Sequence, residues 1–472
     1  MTMLDAPELT AAEIARAVAR ALGTLGSAPV AYSQVTDGIF GDVDAAVAAA
    51  KAAQKAYMGC TMKFRRQIVA AIREFILVPE NLQYMAEQAV LQTGMGNVRD
   101  KILKNRYVAE LTPGVEDLVT EAWSGDEGLT TIELSPFGVI AAITPVTNPT
   151  ETILCNSIGM LAAGNAVVFS PHPRGRDLSV WLVRRLNAVL SGIGAPPNLL
   201  TMVAEPTVEN TTALMTHRDV AMIVATGGPG LVRTALASGK KTIGAGAGNP
   251  PAVVDATAII DKAARDIIAG CTFDNNLPCT SEKEVIVVDA AADLLVFEMT
   301  KAGAYLIKEP AELKRLEELV VMGRQANPDW IGKSALEIAR AAGIDAPSNT
   351  RVLIAETDLM HPIVQVELMM PVLGIVRAKD VDQAIEWAIL CEHGFRHTAT
   401  MHSTDVGALT KMGKLIQTTI YVKNGPSFAG LGVGGEGYIT FTIAGPTGEG
   451  LTSARTFTRR RRCVLVGGLN VR

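Results

Sequence analysis

The sequence predicts an α/β protein built from two sheet-bearing halves and a small separate β element. Three observations lead there. Short runs rich in β-branched and other apolar residues alternate with helical stretches, the alternation occurs twice in segments of similar size, and two strand-like segments lie outside either series. Apolar strands separated by helices mark a parallel sheet covered on both faces. A length of 472 residues allows roughly two to four domains.

The first element is an N-terminal helix. Thr10-Ala-Ala-Glu13 has the spacing of a capping box, and Ile14, Val18, Ala21 and Leu22 then share one face before Gly23. This amphipathic segment, within 1–22, is joined to the rest by a Gly/Ser/Pro-containing linker, 23–37. A helix of about a dozen residues is marginal alone, so its apolar stripe calls for a partner. From 42 to 111 the spacing is helical, punctuated by Gly94, Gly96 and Pro113-Gly114. The first series places strands at 138–144, 166–170, 199–203 and 221–226, with helices at 149–163, 174–191, 207–216 and 229–238. The second begins at Pro251 to Asp255 and continues through a helix at 257–272, a strand at 284–289 and a helical stretch at 292–321. Strands at 352–355, 373–377 and 418–422 follow, with a helix at 380–391. Leu129 to Leu134 and Arg455 to Val466 are the strands outside both halves.

Composition excludes several classes. Apolar residues make up 48% and charged residues 19%, enough to build real cores. A net charge of −5 is far from the basic balance of a nucleic-acid binder. The N-terminus carries acids rather than a basic start and apolar run, so no secretory signal is read. Residues 152–173 lack Asp, Glu, Lys and Arg, but Asn156, Asn165, Pro171 and Pro173 break the segment, which reads as a buried helix and strand rather than a membrane span. Six cysteines without a C-x-x-C pair suit a reducing cytoplasm.

Among those cysteines, Cys60, Cys155, Cys391 and Cys463 sit in helical or strand contexts that favour inert, buried thiols, and Cys271 closes an apolar helical face with Ile267 and Ile268. Cys279 lies in the polar, Pro-containing loop Phe273-Asp-Asn-Asn-Leu-Pro-Cys-Thr-Ser281, where a thiol is either a nucleophile or an ordinary loop residue. Ala225-Thr-Gly-Gly-Pro-Gly230 follows a strand and opens a helix, which suits a phosphate or a plain tight turn equally. Gly244 to Pro251 reads as a hinge that keeps a cleft open. His393, His397 and His402 have no nearby cluster of cysteines or carboxylates, so they read as structural histidines and no metal site is expected. Arg459 to Arg462 reads as a solvated edge strand.

From about residue 40 onward the chain resembles the aldehyde dehydrogenase superfamily, in particular the CoA-acylating branch of bacterial microcompartments that includes propionaldehyde and acetaldehyde dehydrogenases. The resemblance rests on Ser135-Pro-Phe-Gly-Val-Ile140, Thr144-Pro-Val-Thr-Asn-Pro149, Leu161-Ala-Ala-Gly-Asn165, Ser170-Pro-His-Pro173, Gly244 to Pro251 and Phe273 to Cys279. Further blocks are Glu367-Leu-Met-Met-Pro-Val372, Val422-Lys-Asn-Gly-Pro426, Gly434-Gly-Glu-Gly437 and Pro446 to Arg455.

The resemblance implies an aldehyde dehydrogenase-like fold: a Rossmann-like cofactor domain (38–118 and 137–245), an α/β catalytic domain (246–438) and a small β oligomerisation flap (119–136 and 439–472). It makes Cys279 the nucleophile and Asn148 the side-chain donor to the oxyanion, with Thr147 as a rival. It assigns Thr226, Gly227 and Gly228 to the cofactor pyrophosphate, Glu367 to the nicotinamide ribose, and Pro171 and His172 to the adenosine end. The water-activating glutamate of hydrolytic members aligns within Gly244-Ala-Gly-Ala-Gly248, most closely at Ala245, so no carboxylate stands there. Losing a general base forfeits roughly 10²- to 10⁴-fold in water attack, and a thiol becomes the better acceptor. The expected reaction is reversible, CoA-acylating oxidation of a short aliphatic aldehyde, propionaldehyde ahead of acetaldehyde. It is expected to use NAD, favoured over NADP by the lack of a basic partner near the expected ribose, with coenzyme A as co-substrate. Alternatives are a hydrolytic dehydrogenase releasing free acid and a catalytically idle cargo or scaffold protein. In this branch a short terminal helix directs encapsulation, so residues 1–22 are expected to bind microcompartment shell proteins. The protein is then expected in the cytoplasm inside a microcompartment, as a homodimer or homotetramer, with no nucleic-acid or membrane partner.

Overall fold

The structure is a computed structural model that describes residues 37–471. The amphipathic segment 1–22 and nearly all of the 23–37 linker lie outside the described residues.

Four helices open the described chain, each started or stopped by local chemistry. Val43–Tyr57 is capped by the Asp42 carboxylate, which accepts from Ala45 N–H at 2.8 Å. Met62–Leu77 is capped by Thr61, Pro79–Thr93 starts on a proline and stops at left-handed Gly94, and Val98–Leu111 is capped by Asn97. The first packs directly on a six-stranded sheet ordered Ile39–Phe40, Leu200–Val203, Ala166–Pro171, Val139–Thr144, Val220–Thr226 and Lys241–Ala245, all parallel, and the other three pack mainly on helices. Pro149–Ala162 is buried along its entire length, which explains its freedom from charge after Glu151. This is the Rossmann-like half expected from the sequence.

A second parallel sheet has seven strands, ordered Ala304–Leu306, Val352–Glu356, Val372–Ala378, Glu284–Val288, Pro251–Val254, Thr398–His402 and Ile420–Lys423. Two features differ from the sequence reading. The helical stretch 292–321 is two helices, Asp289–Lys301 and Pro310–Val320, separated where Gly303 turns at φ +105° into an edge strand. Thr398–His402, read only as a histidine-bearing segment, is a fully buried strand, and Val406–Ile416 is a further helix.

The third sheet is antiparallel: Glu121–Gly125, Gly128–Pro136 and Thr458–Val466. Residues 439–457, read from the sequence as flap, instead contribute Ile439, Phe441, Ile443, Ala444, Ala454 and Phe457 to the core of the first half. Strand pairing in the flap begins only at Thr458. Two cysteines also depart from expectation. Cys155, Cys271 and Cys391 are buried, but Cys60 is half-buried in a turn between helices and Cys463 is exposed on the outer flap strand. No described helix is long and apolar enough to cross a membrane.

Candidate active site

The Cys279 loop of the second half packs against the core of the first, so the candidate residues stand at the ends of both sheets. From the first sheet come the carboxyl ends of its three central strands: Thr147 and Asn148 follow Val139–Thr144, Pro171 and His172 close Ala166–Pro171, and Thr226 to Gly228 close Val220–Thr226. From the second come the amino ends of four adjacent strands. Glu367 precedes Val372–Ala378, Cys279 precedes Glu284–Val288, Gly248 precedes Pro251–Val254, and His397 precedes Thr398–His402.

The strand order of the first sheet reverses at Val139–Thr144, whose neighbours run to opposite sides, and such switch points leave a crevice at the carboxyl ends. A cavity of about 630 Å³ occupies that position, with Pro171, His172, Thr226, Gly227 and Gly228 in its walls. The Thr226 hydroxyl is 2.9 Å from that of Thr442, and Gly227 N–H donates to the Ala245 carbonyl at 3.0 Å. Both groups are therefore committed. Gly228 has no heavy atom within 4 Å of where a Cβ would stand, and it precedes the helix Pro229–Ala237. A pyrophosphate suits that open helix start. Burial, then Arg174, lower the basicity of His172, leaving a neutral ring against the cavity. Glu367 is not in these walls and lies instead on the Cys279 side.

Cys279 is half-buried and packs against the core of the first half, although its loop belongs to the second. The loop is pinned by unusual backbone. Asp274, Asn275 and Asn276 are all left-handed, with φ of 46°, 53° and 66°. Side chains compensate: Asn275 donates to Gly332 O, Asn276 donates to Cys271 O and Glu282 O, and buried Lys283 donates to Asn276 O at 3.0 Å. Three successive Asx residues in the sequence are the trace of this turn.

Electrostatics around the sulfur follow from burial. Desolvation, then the charge of Glu367, push the Cys279 thiol up to about 12, while Lys283 and Lys104 oppose them. Glu367 itself is pushed up to about 7 by burial, against Lys283 and a hydrogen bond from Gly248 N–H. Burial lowers Lys283, with Glu367 as its main opposing partner. Ala245 ends a buried strand, and a carboxylate, that of Glu367, acts on Cys279.

Sequence reading missed three neighbours. His397 is buried, its Nδ1 is 2.9 Å from Thr398 Oγ1, and burial then Lys283 push it down to about 4. A Cβ on Gly248 would meet its ring at 2.9 Å and the Cys279 carbonyl oxygen at 3.1 Å. Lys104 is the second, reaching Asn148, and Lys283 the third. Among the described residues, no group of three His, Cys, Asp or Glu could hold a metal ion.

The chain matches the model of the aldehyde dehydrogenase family over residues 30–343. It is 49% identical to the propanal dehydrogenase (CoA-propanoylating) of Salmonella typhimurium, across 92% of this chain and 93% of that one. A Rhodopseudomonas palustris propionaldehyde dehydrogenase solved with bound CoA and an acylated cysteine is 58% identical, with a TM-score of 0.92, 93% of this chain covered and 100% of that one. The propionaldehyde dehydrogenase of the Clostridium phytofermentans fucose utilisation bacterial microcompartment is 52% identical, with a TM-score of 0.90 over 92% of this chain and 100% of that one. The chain with these two parallel sheets and this half-buried thiol thus belongs to the aldehyde dehydrogenase family.

Proposed function

We propose that this chain converts a short aliphatic aldehyde, propionaldehyde first, into its acyl-CoA through a thioester on Cys279, with NAD as hydride acceptor. The observation that carries it is Cys279 packed against the core of the half that bears Asn148, with Lys104 bonded to Asn148 and acting on the sulfur, together with a nucleotide-sized cavity at the carboxyl ends of the first sheet. The similar CoA-propanoylating enzyme and the relative with CoA and an acylated cysteine support both acceptor and intermediate.

Cys279 loses its proton to solvent and its sulfur bonds to the aldehyde carbon, leaving charge on the former carbonyl oxygen. The Asn148 amide and the Cys279 backbone N–H receive that charge, with Thr147 as the rival donor. When bound, the nicotinamide accepts the hydride and the CoA thiol accepts the acyl group. Release of the acyl group returns the Cys279 thiolate. On the nucleotide side, Gly228 at the open helix start takes the pyrophosphate with Thr226 and Gly227 as the cavity wall beside it, Pro171 and His172 line the adenosine end, and Glu367 takes the ribose nearest the sulfur.

Glu367 favours one second reading, hydrolysis, because a carboxyl pushed to about 7 suits a general base. NADH formation from propionaldehyde is measured with and without CoA, using Cys279→Ala as control. Turnover that requires CoA and vanishes in the variant is expected; full turnover without CoA would replace acyl transfer by hydrolysis.

The flap's outer strand carries exposed Val464, Leu465 and Val466, which supports pairing with a second copy in a dimer or tetramer. Residues 1–22 are proposed to bind microcompartment shell proteins, a reading supported by the compartment-derived relative. Deleting 1–22 is expected to leave kcat unchanged and abolish co-purification with shells; retained co-purification would reject it.

A further inference from the structure

Four charged side chains outside the reacting set are buried together behind Asn148. Lys101 and Lys104 lie one turn apart on the helix Val98–Leu111, and each is 1% exposed. Asp274 comes from the left-handed turn of the Cys279 loop, and Glu151 from the first turn of Pro149–Ala162; both are fully buried. The set is neutral, with two ammonium groups against two carboxylates, as buried charge requires.

Lys104 is the hub. Its Nζ is 2.6 Å from Asp274 Oδ2 and 3.0 Å from Glu151 Oε1, and it donates to Asn148 Oδ1 at 2.7 Å. Burial acts to neutralise the amine, but the charges of Asp274 and then Glu151 outweigh it and hold its pKa at about 12. An ammonium has only donors, so the atom of Asn148 that meets it has to be the amide oxygen. The Asn148 NH₂ then faces away. One N–H reaches Thr147 Oγ1 at 3.1 Å, and the other is left for a ligand. Asn148 precedes Pro149–Ala162, yet its side chain makes no cap on that helix. Its rotamer answers to Lys104 instead.

The same ammonium also holds the nucleophile's loop. Asp274 Oδ1 accepts from Asn97 N–H at 2.9 Å, Asp274 N–H donates to Asp100 Oδ2 at 2.8 Å, and Lys101 donates to Asp274 Oδ2 at 3.0 Å. The turn bearing Asn148 and the loop leading to Cys279 are thereby referenced to a single point charge.

We propose that Lys104 is a positioning residue that fixes the Asn148 amide with its NH₂ toward the developing oxyanion and keys the Cys279 loop to the same charge. This rests on the reading of Asn148 as oxyanion donor given above. Lys104 touches neither substrate nor cofactor in this role; it acts through Asn148 and Asp274.

The test is a double-mutant cycle on the full chain, read by the pre-steady-state NADH burst and by steady-state kcat and KM for NAD. Lys104→Met alone leaves Glu151 unpaired, so Lys104→Met is also made with Glu151→Gln, which leaves Lys101 and Asp274 as a balanced pair. Asn148→Ala is expected to slow the burst by about 10²-fold, the loss typical of one oxyanion donor. The Lys104→Met/Glu151→Gln variant is expected to slow it by at least ten-fold at unchanged KM for NAD. Adding Asn148→Ala to that background is expected to cost less than three-fold more, because the two residues act in series. A full burst in Asn148→Ala would remove the oxyanion reading, and this proposal with it. A slow Asn148→Ala beside a full burst in the lysine variant, or strictly multiplicative losses, would overturn the role of Lys104 alone.

Discussion

The charge of Glu367 is, after burial, the largest influence pushing the Cys279 thiol up, to about 12. Lys283 acts on both groups in the opposite sense, lowering the thiol and the carboxyl alike. The nucleophile therefore rests protonated, and its availability depends on the state of a neighbour that titrates near neutrality, since burial pushes Glu367 to about 7.

Removing the Glu367 charge is expected to make the thiolate easier to form. In Glu367→Gln the acid limb of the kcat/KM profile, measured at saturating NAD, is expected to move down by about one pH unit. The sign is fixed: a negative neighbour disfavours a second negative charge, so its loss lowers the thiol pKa. KM for NAD is expected to rise in the same variant if the carboxylate also holds the ribose. An acid limb that stays in place, or moves up, would rule out the coupling.

Gly248 tests the geometry rather than the charge. A methyl group there would stand 2.9 Å from His397 Cγ and 3.1 Å from the Cys279 carbonyl oxygen. His397 is buried and its Nδ1 is within hydrogen-bond distance of Thr398, so the loop bearing Cys279 is the side more able to yield. Gly248→Ala is expected to lower kcat by about 10²-fold, as ångström-scale misplacement does, while the melting temperature stays within a few degrees of the parent. Full activity in Gly248→Ala would show that the loop position is not set by this contact.

Both parallel sheets are legible in the sequence because their strands are short apolar runs between helices. The exceptions have physical causes. Thr398–His402 is buried on both faces but spelled Thr-Ala-Thr-Met-His, so its pattern is polar where its environment is not. Cys279 is legible as a thiol in a loop, and its role from the resemblance. Lys104 is not, because its partners Asn148, Glu151 and Asp274 come from two other segments, with separations of 44 residues or more. Glu151 carried the one usable signal, as the last charge before a 22-residue stretch with none. A charge at the head of a buried helix calls for a counter-ion, and only tertiary structure says which.

His402 gives a stability prediction away from the proposed chemistry. It is 2% exposed at the end of its strand, its Nε2 has no hydrogen-bond partner, and its Nδ1 is 4.0 Å from Asp266 Oδ2. Burial, then the charge of Lys262, push it down from 6.5 to about 4. The unfolded chain therefore takes up the proton first as pH falls, and stability drains away between pH 6.5 and 4, reaching a loss on the order of 3 kcal/mol. His402→Gln keeps the side chain polar and removes the titration. Its urea midpoint is expected to fall less than that of the parent between pH 7 and pH 4.5, with His397 accounting for part of what remains. Identical pH dependence in parent and variant would mean that His402 is protonated equally in the folded and unfolded chain.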